Sequence, residues 1–122
     1  MNIPDKVKIG WQTYKIIEIE PKEDLITASE RFYGQILYDK SKILLKADVS
    51  EEQKRNTLLH EIIHAVDEAY NIELSEKQVD TLGNALMAVF IDNPDLKEKV
   101  DVMKRQIEDL TKENQKLKHQ SK

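Results

Sequence analysis

Residues 50–70 read SEEQKRNTLLHEIIHAVDEAY. Ser50 stands three places before Gln53, the capping-box spacing in which the serine hydroxyl and the glutamine side chain each satisfy an end amide. Glu51 and Glu52 fall in the electropositive first turn, so the spacing predicts a helix from about Glu51 to Tyr70. At about 100° per residue, His60, His64 and Asp67 lie within about 60° of arc, while Leu58, Leu59, Ile62, Ile63, Ala65 and Val66 take the opposite side. One face packs, and the other presents polar side chains.

Downstream the same signature recurs in Ser75, Glu76, Lys77 and Gln78. A second helix should follow it, with an apolar face of Val79, Leu82, Leu86, Val89 and Phe90, and end before Pro94. From Leu96 the spacing changes to a 4,3 alternation, with Val100, Ile107 and Asn114 at a positions and Leu96, Met103, Leu110 and Leu117 at d. β-branched residues at a, mostly Leu at d and one polar a residue favour a two-stranded parallel coil, hence a homodimer through residues 96–118. The charges are divided, since Glu113 would meet Lys118 of a partner but Lys99 would meet Lys104. A lone helix packed on its own domain or fraying in solvent fits the same pattern.

Upstream, Val7 and Ile9 alternate with lysines, and Tyr14, Ile16, Ile17 and Ile19 follow Gly10 and Trp11, as in a hairpin or a bent strand. Glu20 to Tyr33 reads as a loop with a short extended piece around Leu25 to Thr27. Gly34 to Tyr38 and Ile43 to Lys46 read as a β-hairpin. The expected fold is α+β: a small antiparallel sheet, the helix of residues 51–70, a second helix bearing carboxylates and a heptad-patterned C-terminal helix. Residues 1–95 form one expected domain and 96–122 a separate helix.

Composition narrows the function. Charged residues make up 34% of the 122-residue chain, above the ~25% of an ordinary domain, so part of it is a solvated element. Residues 96–122 hold eight Lys/Arg against five Asp/Glu, and residues 1–95 hold eleven against eighteen, giving +3 and −7 for the total of −4. An acidic body argues against generic DNA or RNA binding. With no cysteine, a disulfide scaffold, a thiolate metal site and a cysteine nucleophile are excluded. Met1 to Gly10 has no apolar signal core, and the longest apolar run, Ala85 to Ile91, is far short of the ~18 residues of a membrane span. A cytoplasmic protein without a membrane partner is expected.

The chemistry lies in His60-Glu61-Ile62-Ile63-His64, the HExxH motif of the zincins, in the middle of the first predicted helix. Two imidazoles one turn apart can meet a single Zn²⁺ at ~2.0–2.1 Å, while Glu61 beside them reaches a zinc-bound water rather than the metal. The competing account is a chance meeting of three residues on an ordinary helix. A random match in so short a chain has a probability well under ~1%, and this one falls on the polar face of a capped helix. A catalytic zinc takes a third protein ligand. His119 lies far down the charged tail, and Asp67 and Tyr70 stand where the metzincin pattern has Gly and His. Peptide deformylases share HExxH but use a cysteine, so a carboxylate is expected here.

The pattern resembles the gluzincins, in which a second helix carries Glu-x-x-x-Asp, the Glu binding zinc and the Asp supporting a ligand histidine. Glu76-Lys-Gln-Val-Asp80 matches, with Gly83 placed to let two helices approach closely. The resemblance makes Glu76 the third ligand and Asp80 the acid behind a ligand histidine, a supporting position that Asp67 suits as well. A Glu behind Ser75 is also what helix-end electrostatics favours without any metal, and Asp80, Glu73 and Asp67 remain competing ligands. Asp67 and Asp80 also read as plain surface acids. Tyr33, Tyr38 and Tyr70 are candidate donors to an oxyanion, with no choice made among them.

At a finer level, Gly34-Gln-Ile-Leu-Tyr38, Ile43-Leu-Leu45 and Thr57-Leu-Leu-His-Glu-Ile-Ile-His-Ala65 resemble the core of minimal zincin metallopeptidases of the ImmA/IrrE and SprT-like kind, common in bacteria and their phages. The resemblance covers residues 32–92 and implies an extended substrate chain on an edge strand, around Gly34 to Tyr38 or Ile43 to Lys46. Only eleven residues separate His64 from Glu76, which leaves no room for the insertions of larger relatives. The expected activity is peptide-bond hydrolysis by a zinc-bound water that Glu61 activates. The alternatives are a non-catalytic adaptor in which zinc ties two helices together and the C-terminal helix recruits a partner, and a self-associating regulator dimerised by that helix.

Overall fold

Gly10 takes φ +61° in a two-residue turn that sets Ile9 opposite Gln12 and joins β1 (Lys6–Ile9) to β2 (Gln12–Ile19). A positive φ at the first turn position is what such a hairpin loop asks of its glycine. A second antiparallel hairpin pairs β3 (Gly34–Leu37) with β4 (Lys42–Lys46), Leu37 facing Lys42. The structure, a computed structural model, describes residues 3–20 and 33–120, the last two by backbone alone. The extended piece expected around Leu25 to Thr27 lies outside them, as does the His119 side chain.

The two hairpins meet through β2 and β4, which pair in parallel with Ile16 beside Ile43 and Ile17 beside Leu44, in the order β1-β2-β4-β3. The sheet is mixed, which corrects the expectation of an antiparallel one. The reason is burial. Ile16-Ile17 and Ile43-Leu44-Leu45 are continuous apolar runs suited to central strands covered on both faces, whereas β1 alternates with lysines and suits an edge. Placing the two second strands of the hairpins side by side makes them parallel.

Helix α1 (Glu51–Tyr70) covers one face of the sheet. Leu58 and Ala65 pack there with Ile9, Tyr14, Ile16, Ile43 and Leu45, and Ile19 and Leu44 form a smaller cluster with Ile17 and Leu37. Lys54 ties the helix to β2 through Glu18 at 2.7 Å, and also meets Glu51 at 3.2 Å. β3 approaches α1 so closely that a Cβ on Gly34 would lie 2.5 Å from Thr57 Cγ2 and 2.9 Å from the Leu44 carbonyl oxygen. This glycine is required by space.

The cap of α1 is half of a capping box: Ser50 Oγ accepts the Gln53 N–H at 3.1 Å, but the Gln53 amide turns forward to Thr57 Oγ1. Helix α2 (Glu76–Asp92) has the reciprocal form, with Gln78 N–H donating to Ser75 Oγ at 3.1 Å and Ser75 N–H to Gln78 Oε1 at 2.8 Å. Of its expected apolar stripe only Val79 is buried, while Leu82 and Leu86 are exposed. The chain divides into two compact units, residues 1–87 and 88–122. The second contains the end of α2, a turn at Pro94 and α3 (Leu96–Gln120). Among the described residues no helix is long and apolar enough to cross a membrane.

Candidate metal centre

His60 and His64 sit one turn apart on α1, so their rings project from the same face and meet edge to face, centroids 4.8 Å apart. Their Nε2 atoms are 3.1 Å from each other. Glu76, the first residue of α2, closes the group: its Oε1 lies 2.9 Å from His60 Nε2 and its Oε2 3.2 Å from His64 Nε2. These three side chains offer donor atoms that all fall within 4.8 Å of one another. Position 76 suits a carboxylate twice over, because the first turn of a helix favours negative charge whatever the carboxylate faces.

The chemistry of the donor set fits a cation. His60 Nδ1 lies 3.0 Å from Asp80 Oδ1, so a hydrogen on Nδ1 is donated to Asp80 and Nε2 is the ring nitrogen turned toward the group. His60 Nε2 in turn faces an oxygen of Glu76 at 2.9 Å, a separation that places either a proton or a metal ion between the two atoms. A proton satisfies one such contact, whereas three converging donors suit a metal. Tetrahedral Zn²⁺ with bonds of ~2.0–2.1 Å places neighbouring donors about 3.3 Å apart. The two imidazole Nε2 atoms, 3.1 Å apart, are close to that edge, and each is met by a different oxygen of Glu76, at 2.9 and 3.2 Å.

Glu61 lies on the stripe of α1 that faces the sheet, with Lys54, Leu58 and Ala65, and is only 8% exposed. Burial raises its carboxyl pKa, the His60 and His64 imidazoles draw it back, and Glu76 adds to the rise. It is thus held beside the donor group but outside it, on the wall of a cleft of about 990 Å³. β3 forms one side of this cleft, α1 its floor, and Glu76 and Asp80 of α2 the other side.

Asp67 is put to another use than supporting an imidazole. Its Oδ1 accepts the N–H of Glu73 at 2.7 Å, and both its oxygens accept that of Leu74 at 3.3 Å. Asn71 and Glu73 both adopt positive φ in this turn, Asn71 as the left-handed cap of α1. Asp67 therefore fixes the path by which the chain leaves α1 and brings Glu76 to the histidines. Glu73 belongs to that turn and is not among the converging donors.

Tyr33 and Tyr38 line the cleft, whereas Tyr70 is largely exposed and its hydroxyl lies beside the Gly10 turn. The Tyr38 hydroxyl donates to the His64 carbonyl at 3.4 Å. Burial first, then the carboxylates of Glu68 and Glu61, push its pKa up to about 12, so it keeps its proton at neutral pH. Gln53, read from the sequence only as a helix cap, and Asn56, not singled out there at all, also line the cleft. For Asn56 the signal was available, since it stands four residues before His60 and continues the spacing of the two histidines. Gly83 faces α1 as expected, but a Cβ there would be 3.7 Å from Ile63 Cδ1, an ordinary contact. Compared with family models, curated proteins and solved structures, the chain gives no significant match to any of them.

Proposed function

We propose that this chain is a minimal zinc metallopeptidase of the gluzincin kind, with His60, His64 and Glu76 as ligands and Glu61 as the general base. The observation that carries the reading is the convergence of three donors beside a buried carboxylate, with His60 held at Nδ1 by Asp80 so that its Nε2 faces the group. Zinc bound there would supply Lewis acidity, bringing the pKa of water from 15.7 to about 7 and polarising a peptide carbonyl.

The chain's own residues do the rest. Asp80 holds the His60 tautomer, and Asp67 holds the turn that presents Glu76. Glu61 accepts the proton of the attacking water on its carboxylate and passes it to the leaving amine nitrogen as the C–N bond breaks. Its buried position favours the protonated form between those two steps. Among the described residues β3 is an edge strand beside α1, and β4 is enclosed by β2 and β3, so β3 is the strand offered to an extended peptide. Tyr33 and Tyr38 line the cleft, and Tyr38 would have to give up its long bond to the His64 carbonyl to donate to a developing oxyanion.

The test pairs metal analysis with cleavage. Elemental analysis of zinc-loaded, desalted protein should give one zinc per chain for the wild type and Glu61→Gln, and little for His60→Ala, His64→Ala or Glu76→Ala. A quenched-fluorescent peptide library should be cut by the wild type and not by Glu61→Gln. Cleavage that survives Glu61→Gln, or a wild type that takes up no zinc, would overturn the proposal.

A further inference from the structure

In the unit of residues 88–122, α3 runs 25 residues, about 37 Å at 1.5 Å per residue. Val100, Met103, Ile107, Leu110 and Leu117 are all strongly exposed along one line of it. We infer that a second copy of this chain covers that line, the two α3 helices forming a parallel, in-register coil with Asn114 facing Asn114. The inference does not depend on whether the metal centre is filled.

The spacing identifies the occupant as another helix. A helix packed on a globular core shows a broad apolar face of a, d and a flanking position, whereas the apolar residues of α3, Val102 apart, keep to a and d alternating 4,3 from Leu96 to Leu117. A strict period of 3.5 keeps its seam turned toward one supercoiling helix over successive turns. The seam is narrow and its flanks are charged.

Asn114 selects the partner and the direction. In a parallel coil of two identical helices, a positions face a positions, so the Asn114 amides meet each other and exchange a hydrogen bond. In an antiparallel coil a faces d, which sets Asn114 against Leu96 or Met103 and buries an amide without a partner. A helix of unrelated sequence would have to supply its own polar group at that one layer. A second copy supplies it by identity.

The flanking charges are compatible with this pairing. Glu113 faces Lys118 of the second copy, an attractive pair, and Gln106 faces Thr111. Lys99 faces Lys104, the one repulsive layer, and there Lys99 is bridged at 3.3 Å to Asp95, the residue just before its own helix. Lys97, on the same basic edge, is bridged to Asp101 at 3.0 Å. These acids offset the positive field where the two helices would repel. In an antiparallel arrangement Lys97 would approach Lys118.

The absence of cysteine from the sequence makes the register directly readable. Sedimentation equilibrium of the full chain from micromolar to millimolar concentration should approach twice the 14.2 kDa chain mass. Ile107→Lys should return it to one chain, and Asn114→Leu should tighten association at least tenfold while losing its restriction to a single species. Under mild oxidation Val100→Cys and Asn114→Cys should each link to themselves, whereas Arg105→Cys, on the outer face, should not. A chain that stays monomeric throughout overturns the inference. So does linkage of Asn114→Cys only with Leu96→Cys or Met103→Cys when mixed, which would mean antiparallel helices, and so does equal linkage of Val100→Cys, Asn114→Cys and Arg105→Cys, which would mean random collision.

Discussion

Replacing Asp67 by alanine should damage the first unit in two separable ways. The carboxylate accepts one short bond from Glu73 N–H at 2.7 Å and a long, shared one from Leu74 N–H at 3.3 Å. A hydrogen bond to a charged acceptor contributes about 1.5–3 kcal/mol, and the partly exposed setting places this pair toward the lower end. Glu73 sits at φ +68°, a left-handed conformation costing a non-glycine residue about 1 kcal/mol, and Asp67 is what holds it there. The loss should be about 2–3 kcal/mol, or roughly 10–20 °C in melting temperature for a unit of this size. Circular dichroism of chelator-treated protein would measure it. With the turn released, Glu76 is no longer presented to the histidines, and zinc affinity against a chromophoric chelator should fall about tenfold, equivalent to 1.4 kcal/mol. Asp67→Asn, which keeps one acceptor oxygen, should fall between. Unchanged melting of Asp67→Ala would refute the assignment of Asp67 to the turn, and unchanged zinc affinity with lowered melting would refute the link from turn to ligand.

Asp80→Ala should weaken zinc binding by roughly 10–100-fold through loss of the fixed His60 tautomer, with little change in metal-free melting because Asp80 is exposed, as chelator competition and a melting scan would show. Gly34→Ala should cost about 1–3 kcal/mol in chemical denaturation, since the Leu44 carbonyl oxygen at 2.9 Å cannot yield without moving backbone. Gly83→Ala should do the opposite, stabilising the protein by up to about 1 kcal/mol in the same assay, because the helix gains an alanine and the methyl meets Ile63 at ordinary distance.

Helices α1 and α2 are readable in the sequence, because the Ser-x-x-Gln signals and the periodicity are local. The pairing of β2 with β4 is not, since period-two alternation reports which side of a strand is buried and says nothing of its neighbour's direction. His60, His64 and Glu61 could be read as a group because one helix carries all three. Glu76 and Asp80 were legible only through a resemblance, and their placement beside His60 depends on a turn whose shape lies in φ angles at Asn71 and Glu73. Asp67 illustrates the limit: a helical wheel correctly set it on the histidine face, but its oxygens were claimed by amides six and seven residues further along. The Leu82 and Leu86 positions show the converse, an apolar period that the structure leaves uncovered.

Gly34 has a consequence for how this protein can change. Most clefts are gauged by side chains, so their width drifts as cores repack. Here the spacing between β3 and α1 is set by main chain meeting a threonine methyl, with no side chain on the strand to enlarge or trim. Substitutions deeper in the core can therefore alter how firmly the sheet holds without altering how far apart the cleft walls stand at that point. Variation in what the cleft admits is left to its rim, at Tyr33, Gln35, Gln53 and Asn56, where side chains change without disturbing the frame beneath them.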